Sequence, residues 1–412
     1  MNDLVVGIDI GTTKICTIVG EVRPDEIFVV GVGIEPSRGM KKGVVSDIGA
    51  LTGAITASVH KAERTSGYEI KQAFVSVAGT HIAAMNSRGA IGLPGTRGVR
   101  QEDLDKALEQ ARMIAIPHNR EVLHVIPRTY SLDDHHNVRN PIGMHGFRLE
   151  VEVHIITAAS TSLANLEQAI RTAGVIPDRF ILNPLASGDV VLTPQEREMG
   201  AMLVDIGGGT TDIAIFIEGT VWHSAVMAVG GDMITSDITH WMHAPVEVAE
   251  EVKIRHGSAL EKSVSGYETF MVQPFGEGLP TEYKLSELAM VIEARATELF
   301  EMVHDEMKRS GYANLLRAGV VLTGGCALLP GLRDLAANML DCPVRVAKPE
   351  RLTGMADALR SPAYSTGVGL LRLGLQMDSA PIAVGATGSG VPVRIGNLLT
   401  GFFKRLLPDD EK

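Results

Sequence analysis

The chain contains, close to its start, the stretch Val6-Gly7-Ile8-Asp9-Ile10-Gly11-Thr12-Thr13-Lys14-Ile15. A similar stretch, Leu203-Val204-Asp205-Ile206-Gly207-Gly208-Gly209-Thr210-Thr211-Asp212-Ile213, opens its second half. Each is an apolar, partly β-branched run that ends in an aspartate and is followed by a glycine and threonine turn and a second apolar run. This pattern predicts two strands joined by a tight turn.

Both turns have the composition of a phosphate-binding loop. Glycine lacks a Cβ, so its backbone can approach a ligand closely, and exposed turn amides form an anion-binding nest. Threonine hydroxyls add donors, and Lys14 could reach a phosphate or pair with Asp9 or Asp212. We expect phosphate contacts from Gly11, Thr12, Thr13, Lys14, Gly207, Gly208, Gly209, Thr210 and Thr211.

The aspartates of the two stretches are candidates for a metal site. Asp9 and Asp205 stand at predicted strand ends, where open α/β sheets bind ligands. Two facing carboxylates beside phosphates suit Mg²⁺, which prefers oxygen ligands and keeps several waters. We therefore expect both residues to contact Mg²⁺ through water. The alternative is a pair of ordinary tight hairpins.

A third glycine motif lies downstream, in Val320-Val321-Leu322-Thr323-Gly324-Gly325-Cys326-Ala327-Leu328-Leu329-Pro330-Gly331-Leu332. The pattern predicts a strand, a turn at Gly324 and Gly325, and a helix start near Pro330. The two glycines would allow close approach to a base or ribose. A plain strand-turn-helix connection is the alternative.

The three motifs together resemble those of the actin, Hsp70 and sugar-kinase superfamily, and further segments resemble the FtsA family of bacterial cell-division proteins. The likeness covers residues 1 to about 376. The further segments are His124-Val125-Ile126-Pro127-Arg128-Thr129-Tyr130, Asn140-Pro141-Ile142-Gly143, Val153-His154-Ile155-Ile156-Thr157, Thr235-Ser236-Asp237-Ile238 and Tyr364-Ser365-Thr366-Gly367-Val368-Gly369-Leu370-Leu371.

The resemblance implies an α/β, two-lobed actin-like (ribonuclease-H-like) fold with an inserted small α+β subdomain, called 1C, and a C-terminal amphipathic helix. The expected divisions are 1–83 with 159–200 and about 361–377 for subdomain 1A, 84–158 for 1C, 201–233 with 305–360 for 2A, 234–304 for 2B, 378–393 for a flexible linker and 394–408 for the helix.

Local patterns predict several elements within these divisions. A helix is expected over 101–114, with Leu104, Ala107, Leu108, Ala111 and Ile114 on one face. Residues 258–284 show no regular pattern. Ser286 is expected to cap a long helix that ends before Gly311.

Other cleft candidates follow from the resemblance. Glu250 and Lys253 lie three residues apart on one helical face, and the matching helix of the superfamily contacts the ribose and base; a solvated surface pair is the alternative. Actin-like hydrolases orient the attacking water with a glutamine or an acid. The corresponding segment here offers only Asn183, which could instead cap a helix, so we expect slow hydrolysis or none measurable.

Composition excludes several classes of function. A formal charge of −11 argues against nucleic-acid binding. The three cysteines lack a Cys-x-x-Cys spacing and are expected to be reduced thiols. The thirteen histidines form no motif typical of a metal site. The first residues lack a basic region followed by an apolar one, so we do not expect a secretory leader. No run of about 18 apolar residues occurs, so we do not expect a membrane-spanning helix.

The last segment has the pattern of a helix that lies in a membrane interface. After a Gly- and Pro-containing linker, large apolar residues recur three and four apart, which places them on one helical stripe, beside the cations Lys404 and Arg405. The alternative is a helix that docks on the protein's own core. The stripe consists of Ile395, Leu398, Leu399, Phe402, Phe403, Leu406 and Leu407.

The resemblance implies an ATP- and Mg²⁺-binding protein that polymerises with itself on the cytoplasmic face of the cell membrane at the division site. It would tether FtsZ through the FtsZ tail on subdomain 2B, with Arg295 as a candidate contact, and recruit later division proteins. Two alternatives stay open: a small-molecule kinase of the same superfamily, for which no general-base carboxylate is evident, and a PilM-like pilus-assembly scaffold, which should lack the tail.

Overall fold

A computed structural model describes residues 4–22, 26–273, 275 and 279–378. The strands are β1 Leu4–Ile10, β2 Lys14–Val22, β3 Ile27–Pro36, β4 Met40–Lys41, β5 Val44–Val45, β6 Gln72–Val77, β7 Ile82–Gly92, β8 Arg120–Leu132, β9 His135–Val138, β10 Arg148–Ala159, β11 Ile176–Leu182, β12 Ala201–Ile206, β13 Thr211–Ile217, β14 Thr220–Met227, β15 Thr269–Val272, β16 Thr281–Lys284, β17 Gly319–Thr323, β18 Val344–Val346 and β19 Leu352–Gly354. The helices are α1 Ile48–Ser66, α2 Gln101–Arg112, α3 Ser160–Thr172, α4 Asn183–Val191, α5 Pro194–Met199, α6 Gly231–Met242, α7 Val246–His256, α8 Leu285–Arg309, α9 Leu332–Leu340 and α10 Ser365–Asp378.

The first lobe is built on a sheet of six described strands in the order β11-β6-β1-β2-β3-β19. Side chains alternate between its two faces, as strand geometry requires. Ile8 and Ile15 pack with α1 and α3 on one face, whereas Cys16 and Ile18 pack with α4 and α10 on the other. The strands are apolar on both faces because helices cover both.

The second lobe has the same plan, with five described strands in the order β14-β13-β12-β17-β18. One face of this sheet packs on α6, α8 and α9. The opposite face packs on α4, which also contacts the first sheet through Leu185 and Ala186. Helix α4 therefore belongs to the cores of both lobes.

Helix α10 lies unusually close to α4 and to the first sheet. A Cβ at Gly369 would overlap the carbonyl of Ala186, and a Cβ at Gly7 would lie 2.9 Å from Leu370 Cβ. Only glycine allows backbones to approach this closely. The last described helix is therefore an integral part of the first lobe.

The inserted subdomain, residues 82–159, forms a separate sheet in the order β7-β10-β8-β9, covered by α2. The predicted apolar face of α2 is buried at Leu104, Ala107, Leu108 and Ala111. Ile114 lies beyond the helix end and is exposed, so its assignment to that face was wrong. The insertion begins with β7 at Ile82, two residues before the predicted boundary.

Two further expectations from the sequence are corrected by short elements. Residues 352–354 pair in parallel with β3 and so belong to the first sheet, although 305–360 was expected to lie in 2A. The segment 258–284, predicted to be irregular, contains the antiparallel pair β15 and β16. Strands of three or four residues are too short to show periodicity.

Helix α8 begins at Leu285, two residues earlier than a cap at Ser286 requires. Lys284 occupies the N-cap position and makes no side-chain capping bond, so the expected role of Ser286 as the cap was wrong. The strand β16 runs directly into the helix, which leaves no loop for a capping serine. The expected end before Gly311, which has a φ of 77°, is confirmed because Arg309 is the last helical residue.

Candidate functional site

The two predicted hairpins have the same backbone. In the first, Gly11 N donates to Lys14 O at 3.0 Å, and in the second Gly207 N donates to Thr210 O at 2.9 Å. The last strand pair is Ile10 with Ile15 in the first and Ile206 with Thr211 in the second. By structure, therefore, Thr12 and Thr13 correspond to Gly208 and Gly209, not to the second Thr-Thr pair.

The turns of these hairpins face each other across the space between the lobes. A Cβ at Gly209 would lie 2.6 Å from Thr12 Oγ1, and a Cβ at Gly208 would overlap Thr13 Oγ1. Threonines of one turn thus lie against glycines of the other. The absence of side chains at Gly208 and Gly209 is what allows the lobes to approach.

A cleft of about 370 Å³ lies between these turns and the third glycine motif. It brings together all the predicted phosphate, metal and nucleotide residues except Thr211. Its lining residues are Asp9, Gly11, Thr12, Thr13, Lys14, Asn183, Asp205, Gly207, Gly208, Gly209, Thr210, Asp212, Gly231, Asp232, Glu250, Lys253, Ile254, Gly324, Gly325, Cys326, Leu328, Leu329, Pro330, Pro362, Ala363 and Thr366.

Thr211 is the predicted contact that the structure contradicts. Its hydroxyl donates to Val229 O at 2.8 Å, and the residue is fully buried. It occupies the strand position that Ile15 occupies in the first hairpin, and both point into the protein interior. Its role is to join β13 to the segment that leads into α6.

Three buried carboxylates lie at the cleft. Asp9 accepts from Ser76 Oγ at 2.8 Å, and Asp205 accepts from Thr366 Oγ1 at 3.1 Å. Burial raises the pKa of Asp205 to about 6, opposed by hydrogen bonds and reinforced by the charge of Asp9. Burial also raises the pKa of Asp9. Carboxylates that are desolvated beside one another favour a proton or a cation.

Asp212 is the third carboxylate, and sequence reasoning named it only as a partner for Lys14. It pairs across the strands with Asp205, and its Oδ2 accepts from Thr210 Oγ1 at 3.1 Å. Burial, followed by the charge of Asp205, raises its pKa well above the usual range. Its Oδ1 is buried and, among the described residues, has no hydrogen-bond partner.

Asn183 has a second unpartnered oxygen in the same cleft. Its Oδ1 is buried without a hydrogen-bond partner in the described part of the protein. It is the first residue of α4, whereas Leu182 is the N-cap and no side chain caps the helix. The alternative role of Asn183 as a helix cap is therefore excluded, and its amide oxygen is available to a ligand or water.

The pair Glu250 and Lys253 lies at the side of the cleft formed by α6 and α7. Lys253 Nζ donates to Gly231 O at 3.1 Å, to Thr235 Oγ1 at 2.8 Å and to Glu250 Oε2 at 2.6 Å. These acceptors occupy the three donors of the ammonium group. Lys253 therefore holds Glu250 against the first turn of α6, so the pair is not a solvated surface pair. Its contact with a ribose or base stays a prediction.

The third glycine motif forms the opposite side of the cleft. Gly324 has φ 88°, and a Cβ there would lie 2.5 Å from Asp205 Oδ1, so a side chain is excluded at this turn. A short 3-10 helix, Gly325–Leu328, follows the turn. Helix α9 begins at Leu332, two residues after Pro330, so the predicted helix start is confirmed. Apolar side chains line this end of the cleft: Ile254, Leu328, Leu329 and Pro330.

The positions of two predicted cations differ. Lys14 lines the cleft, with its Nζ 4.8 Å from the ring centre of Tyr364. Arg295 lies on α8 outside the cleft, where its Nε and Nη2 bind both oxygens of Asp237 at 2.6 and 3.0 Å. A bidentate pair of this kind fixes the guanidinium. Any partner of Arg295 must share it with Asp237.

Several lining residues were not predicted as ligand contacts from the sequence. Thr366 belongs to a segment that carried the family resemblance, and its bond to Asp205 explains the position of α10. Asp232 is the acidic residue in the first turn of α6. Cys326, expected in a turn, lines the cleft, and burial raises the pKa of its thiol to about 11, so it is not a reactive thiolate.

Two expectations concern the metal and the membrane. Within the described part of the chain, no group of three or more His, Cys, Asp or Glu residues is arranged to hold a metal ion. The linker and the amphipathic stripe at 394–408 lie outside the described residues. Among the described helices, none has the length and apolar character that a membrane crossing requires.

Comparison with known proteins identifies the family. A model described as "Cell division protein FtsA" matches residues 202–369, and one described as "SHS2 domain inserted in FTSA" matches 79–157. The FtsA protein of Pseudomonas aeruginosa is 44% identical over 387 residues, 94% of this chain and 93% of that protein. That of Escherichia coli K12 is 38% identical over 379 residues, 90% of both chains.

Solved structures support the fold. The PilM-PilN type IV pilus biogenesis complex aligns with a TM-score of 0.64 at 16% identity, over 90% of this chain and 98% of that one. MreB5 of Spiroplasma citri bound to ADP aligns with a TM-score of 0.52 at 14% identity, over 90% of this chain and 95% of that one. These likenesses show the actin-like fold, whereas the identities of the curated relatives show that the chain belongs to the FtsA family of cell-division proteins.

Proposed function

We propose that this protein binds ATP with Mg²⁺ between its lobes, polymerises and tethers FtsZ filaments to the cytoplasmic face of the cell membrane. The observation that carries the nucleotide site is the direct apposition of the two hairpin turns, Thr12 against Gly209 and Thr13 against Gly208. Polyphosphate is the ligand that such facing amides and hydroxyls suit.

The residues present fit the two parts of the ligand. Backbone amides of the turns and the Lys14 cation would hold phosphate oxygens, and Asp9 and Asp205 would hold Mg²⁺ through its waters. The apolar end of the cleft would take the base, and Glu250 the ribose. A structural neighbour, MreB5, is bound to ADP in its solved structure.

Hydrolysis is expected to be slow or not measurable. The unpartnered oxygen of Asn183 can accept a hydrogen bond from water in the cleft. An amide, however, cannot take a proton from that water, which is the task of a general base. Nucleotide binding would then serve mainly to join the two lobes.

The membrane anchor is the amphipathic segment 394–408. A large apolar side chain contributes about 1.5–3 kcal/mol when fully buried. Gly396 and Gly401 each cost about 1 kcal/mol of helix propensity, and nucleating a short helix costs more. One tail would therefore bind reversibly, whereas many tails on one filament would bind tightly through effective concentration. Lys404 and Arg405 favour an anionic surface.

Lipid sedimentation tests the anchor. We expect the full chain to sediment with anionic vesicles and the chain ending at residue 393 to stay in the supernatant, while both bind ATP equally. Phe402→Asp should reduce sedimentation strongly because it places a charge in the apolar stripe. Asn397→Asp adds the same charge outside the stripe and is the matched control. Equal sedimentation of the full and shortened chains would exclude this anchor.

Filament formation and the FtsZ contact need separate measurements. Electron microscopy of the full chain on lipid monolayers should show filaments in the presence of ATP, and single particles at every nucleotide concentration would contradict polymerisation.

Binding of the FtsZ tail peptide should weaken in Arg295→Glu, on α8, but not in Arg333→Glu, on α9. Recruitment of later division proteins, which the family implies, would follow from the inserted subdomain.

A further inference from the structure

One strand of the inserted subdomain, β8, contacts both lobes. His124, near the start of β8, accepts a hydrogen bond at Nε2 from Leu182 N at 3.1 Å. Leu182 is the N-cap of α4 and immediately precedes Asn183 of the cleft. The first contact of β8 is therefore with the first lobe, one residue from the predicted nucleotide site.

The second contact of β8 is with the second lobe. The guanidinium of Arg128 lies 4.4 Å from the ring centre of Trp222 and 5.4 Å from that of Tyr312, and its Nη2 donates to Tyr312 OH at 3.0 Å. A planar guanidinium is suited to stacking on aromatic rings. We call the group Arg128, Trp222 and Tyr312 the latch.

Strand β10 adds a buried contact beside the latch. His154 is 2% exposed, and its ring nitrogens bind Asn86 Oδ1 at 2.8 Å and Ser224 Oγ at 2.9 Å. Burial lowers the pKa of His154 to about 3, so the ring is neutral, donates from Nδ1 to Asn86 and accepts at Nε2 from Ser224. Thr220 Oγ1 also donates to Pro127 O at 2.9 Å.

These contacts lead back to the cleft through the second sheet. Trp222, Thr220 and Ser224 lie on β14, the edge strand of that sheet, and Ser224 pairs with Ala214 on β13. The same pair of strands aligns Asp212, in the cleft, with Val226. A shift of the second hairpin relative to the first must therefore move β14, because β13 and β14 are hydrogen-bonded along their length.

We propose that strand β8, held by His124 to the first lobe and by the latch to the second, couples occupancy of the cleft to the position of the inserted subdomain. This inference rests on the proposed nucleotide function. A ligand that draws the lobes together changes the distance between the two anchor points of β8, which are four residues apart on one strand. The strand must then bend or the latch must shift, and the distal part of the subdomain moves with it.

Hydrogen exchange measured by mass spectrometry on the full chain, with ATP and Mg²⁺, tests the coupling. We expect nucleotide to slow amide exchange in β8 and β10 as well as in the hairpins of the cleft. In Arg128→Ala the slowing should persist in the hairpins and fall in β8 and β10 by about twofold or more, the smallest effect typical of a coupling contact. ATP affinity by calorimetry should stay within about threefold.

Two further variants serve as a milder test of the latch and as a control. Tyr312→Phe removes only the hydroxyl that receives the Arg128 hydrogen bond, so it keeps the packing if Arg128→Ala fails to fold, and it should weaken the response in the same direction. Arg88→Ala removes an exposed arginine that pairs with Glu152 inside the same subdomain, and it should behave as wild type.

The outcomes separate the two proposals. Absence of ATP binding to the wild type would overturn the proposed function and the coupling with it. ATP binding with protection confined to the cleft hairpins would overturn the coupling alone. An unchanged response of β8 and β10 in both Arg128→Ala and Tyr312→Phe would show that the latch is only a structural cover for the edge strand.

Discussion

The hairpin at Asp9 and the hairpin at Asp205 have the same strand pairing and the same closed turn, but they present different chemistry to the cleft. The first turn carries Thr12, Thr13 and Lys14, whereas the second carries Gly208, Gly209 and Thr210 in the corresponding places. In the strand that follows, Cys16 of the first hairpin corresponds to Asp212 of the second. The first lobe thus supplies two hydroxyls and a cation, and the second supplies open backbone, one hydroxyl and an additional carboxylate.

This difference shows that the two hairpins are complementary, not interchangeable. Thr12 and Thr13 fill the space that Gly208 and Gly209 leave open. Two copies of either sequence would not fit together, because threonine would meet threonine in one case and a gap would remain in the other. The asymmetry can be tested by substitutions in each of the two turns.

The largest effect is expected from Gly208→Ala. The new Cβ would overlap Thr13 Oγ1 and lie 2.7 Å from Asp232 Oδ1, and overpacking of this kind costs about 1–3 kcal/mol. We expect ATP affinity by calorimetry to fall by up to about a hundredfold. Gly11→Ala is the control on the first hairpin, since its Cβ would meet only Lys14 O, at 3.0 Å. Equal losses would contradict the asymmetry.

A somewhat smaller effect is expected from Asp205→Ala. Removing a carboxylate that holds Mg²⁺ through water loses a charge-assisted interaction of about 1.5–3 kcal/mol, so affinity should fall by at least about tenfold. The loss should be confined to solutions that contain Mg²⁺. Asp205 has no role at the metal if the ATP affinities of wild type and variant differ as much in EDTA as in Mg²⁺. The same conclusion follows if the two affinities do not differ in Mg²⁺.

The stability of the ligand-free fold and the Mg²⁺-dependent ATP affinity should both depend moderately on pH. Asp205 has a pKa of about 6 in the folded chain, above its ordinary 3.8. Protonation of Asp205 therefore contributes to the free energy of unfolding of the ligand-free protein. This contribution, about 3 kcal/mol at most, is fully present below about pH 4 and is lost as pH rises through 6. Mg²⁺ needs the ionised carboxylate, so Mg²⁺-dependent ATP affinity should rise over the same interval.

Calorimetry and thermal unfolding between pH 4 and 8 measure these two opposite trends. Asp205→Asn removes the titrating group and should flatten both curves, apart from the contributions of Asp9 and Asp212, whose pKa values burial also raises. A wild-type affinity that does not change between pH 5 and 7 would contradict ionisation of Asp205 at the metal.

The smallest effect is expected from Thr211→Val. The substitution removes the hydrogen bond to Val229 O, which should lower the free energy of unfolding by about 1 kcal/mol and leave ATP affinity unchanged. Thr12→Val, at the cleft, should instead weaken ATP binding and leave stability nearly unchanged. If Thr211→Val weakened ATP binding and Thr12→Val did not, the structural correspondence of the two turns would be contradicted, and Thr211 would be a ligand contact as the sequence predicted.

The sequence predicted the hairpins because their strands are long, apolar and β-branched, and it predicted the bounds of α2 and α8 to within two residues. It did not predict that Thr211 is buried. The hydrogen bond from Gly207 N to Thr210 O closes the turn and places Thr211 in the following strand, and the sequence does not show which residue accepts that bond. It also missed the place of Asp212 in the cleft, since a residue directly after a turn can face either side of a sheet.

Contacts between residues far apart in the chain were harder still to predict from the sequence. Leu352–Gly354 is three residues long, and its partner β3 lies more than three hundred positions earlier in the chain. The latch joins Arg128 to Tyr312, and each residue alone resembles any surface arginine or tyrosine. Such pairings are decided by the packing of whole lobes, for which a single sequence carries no local signal.

The return of the chain to the first lobe has a consequence for biosynthesis. Strand β19 and helix α10 complete the first sheet and its core, but they are translated after the entire second lobe. On the ribosome, the first 200 or so residues emerge before α10 can cover Ile18 and its neighbours on one face. The nascent first lobe therefore keeps an exposed apolar surface, to which chaperones can bind, until α10 emerges and packs on it.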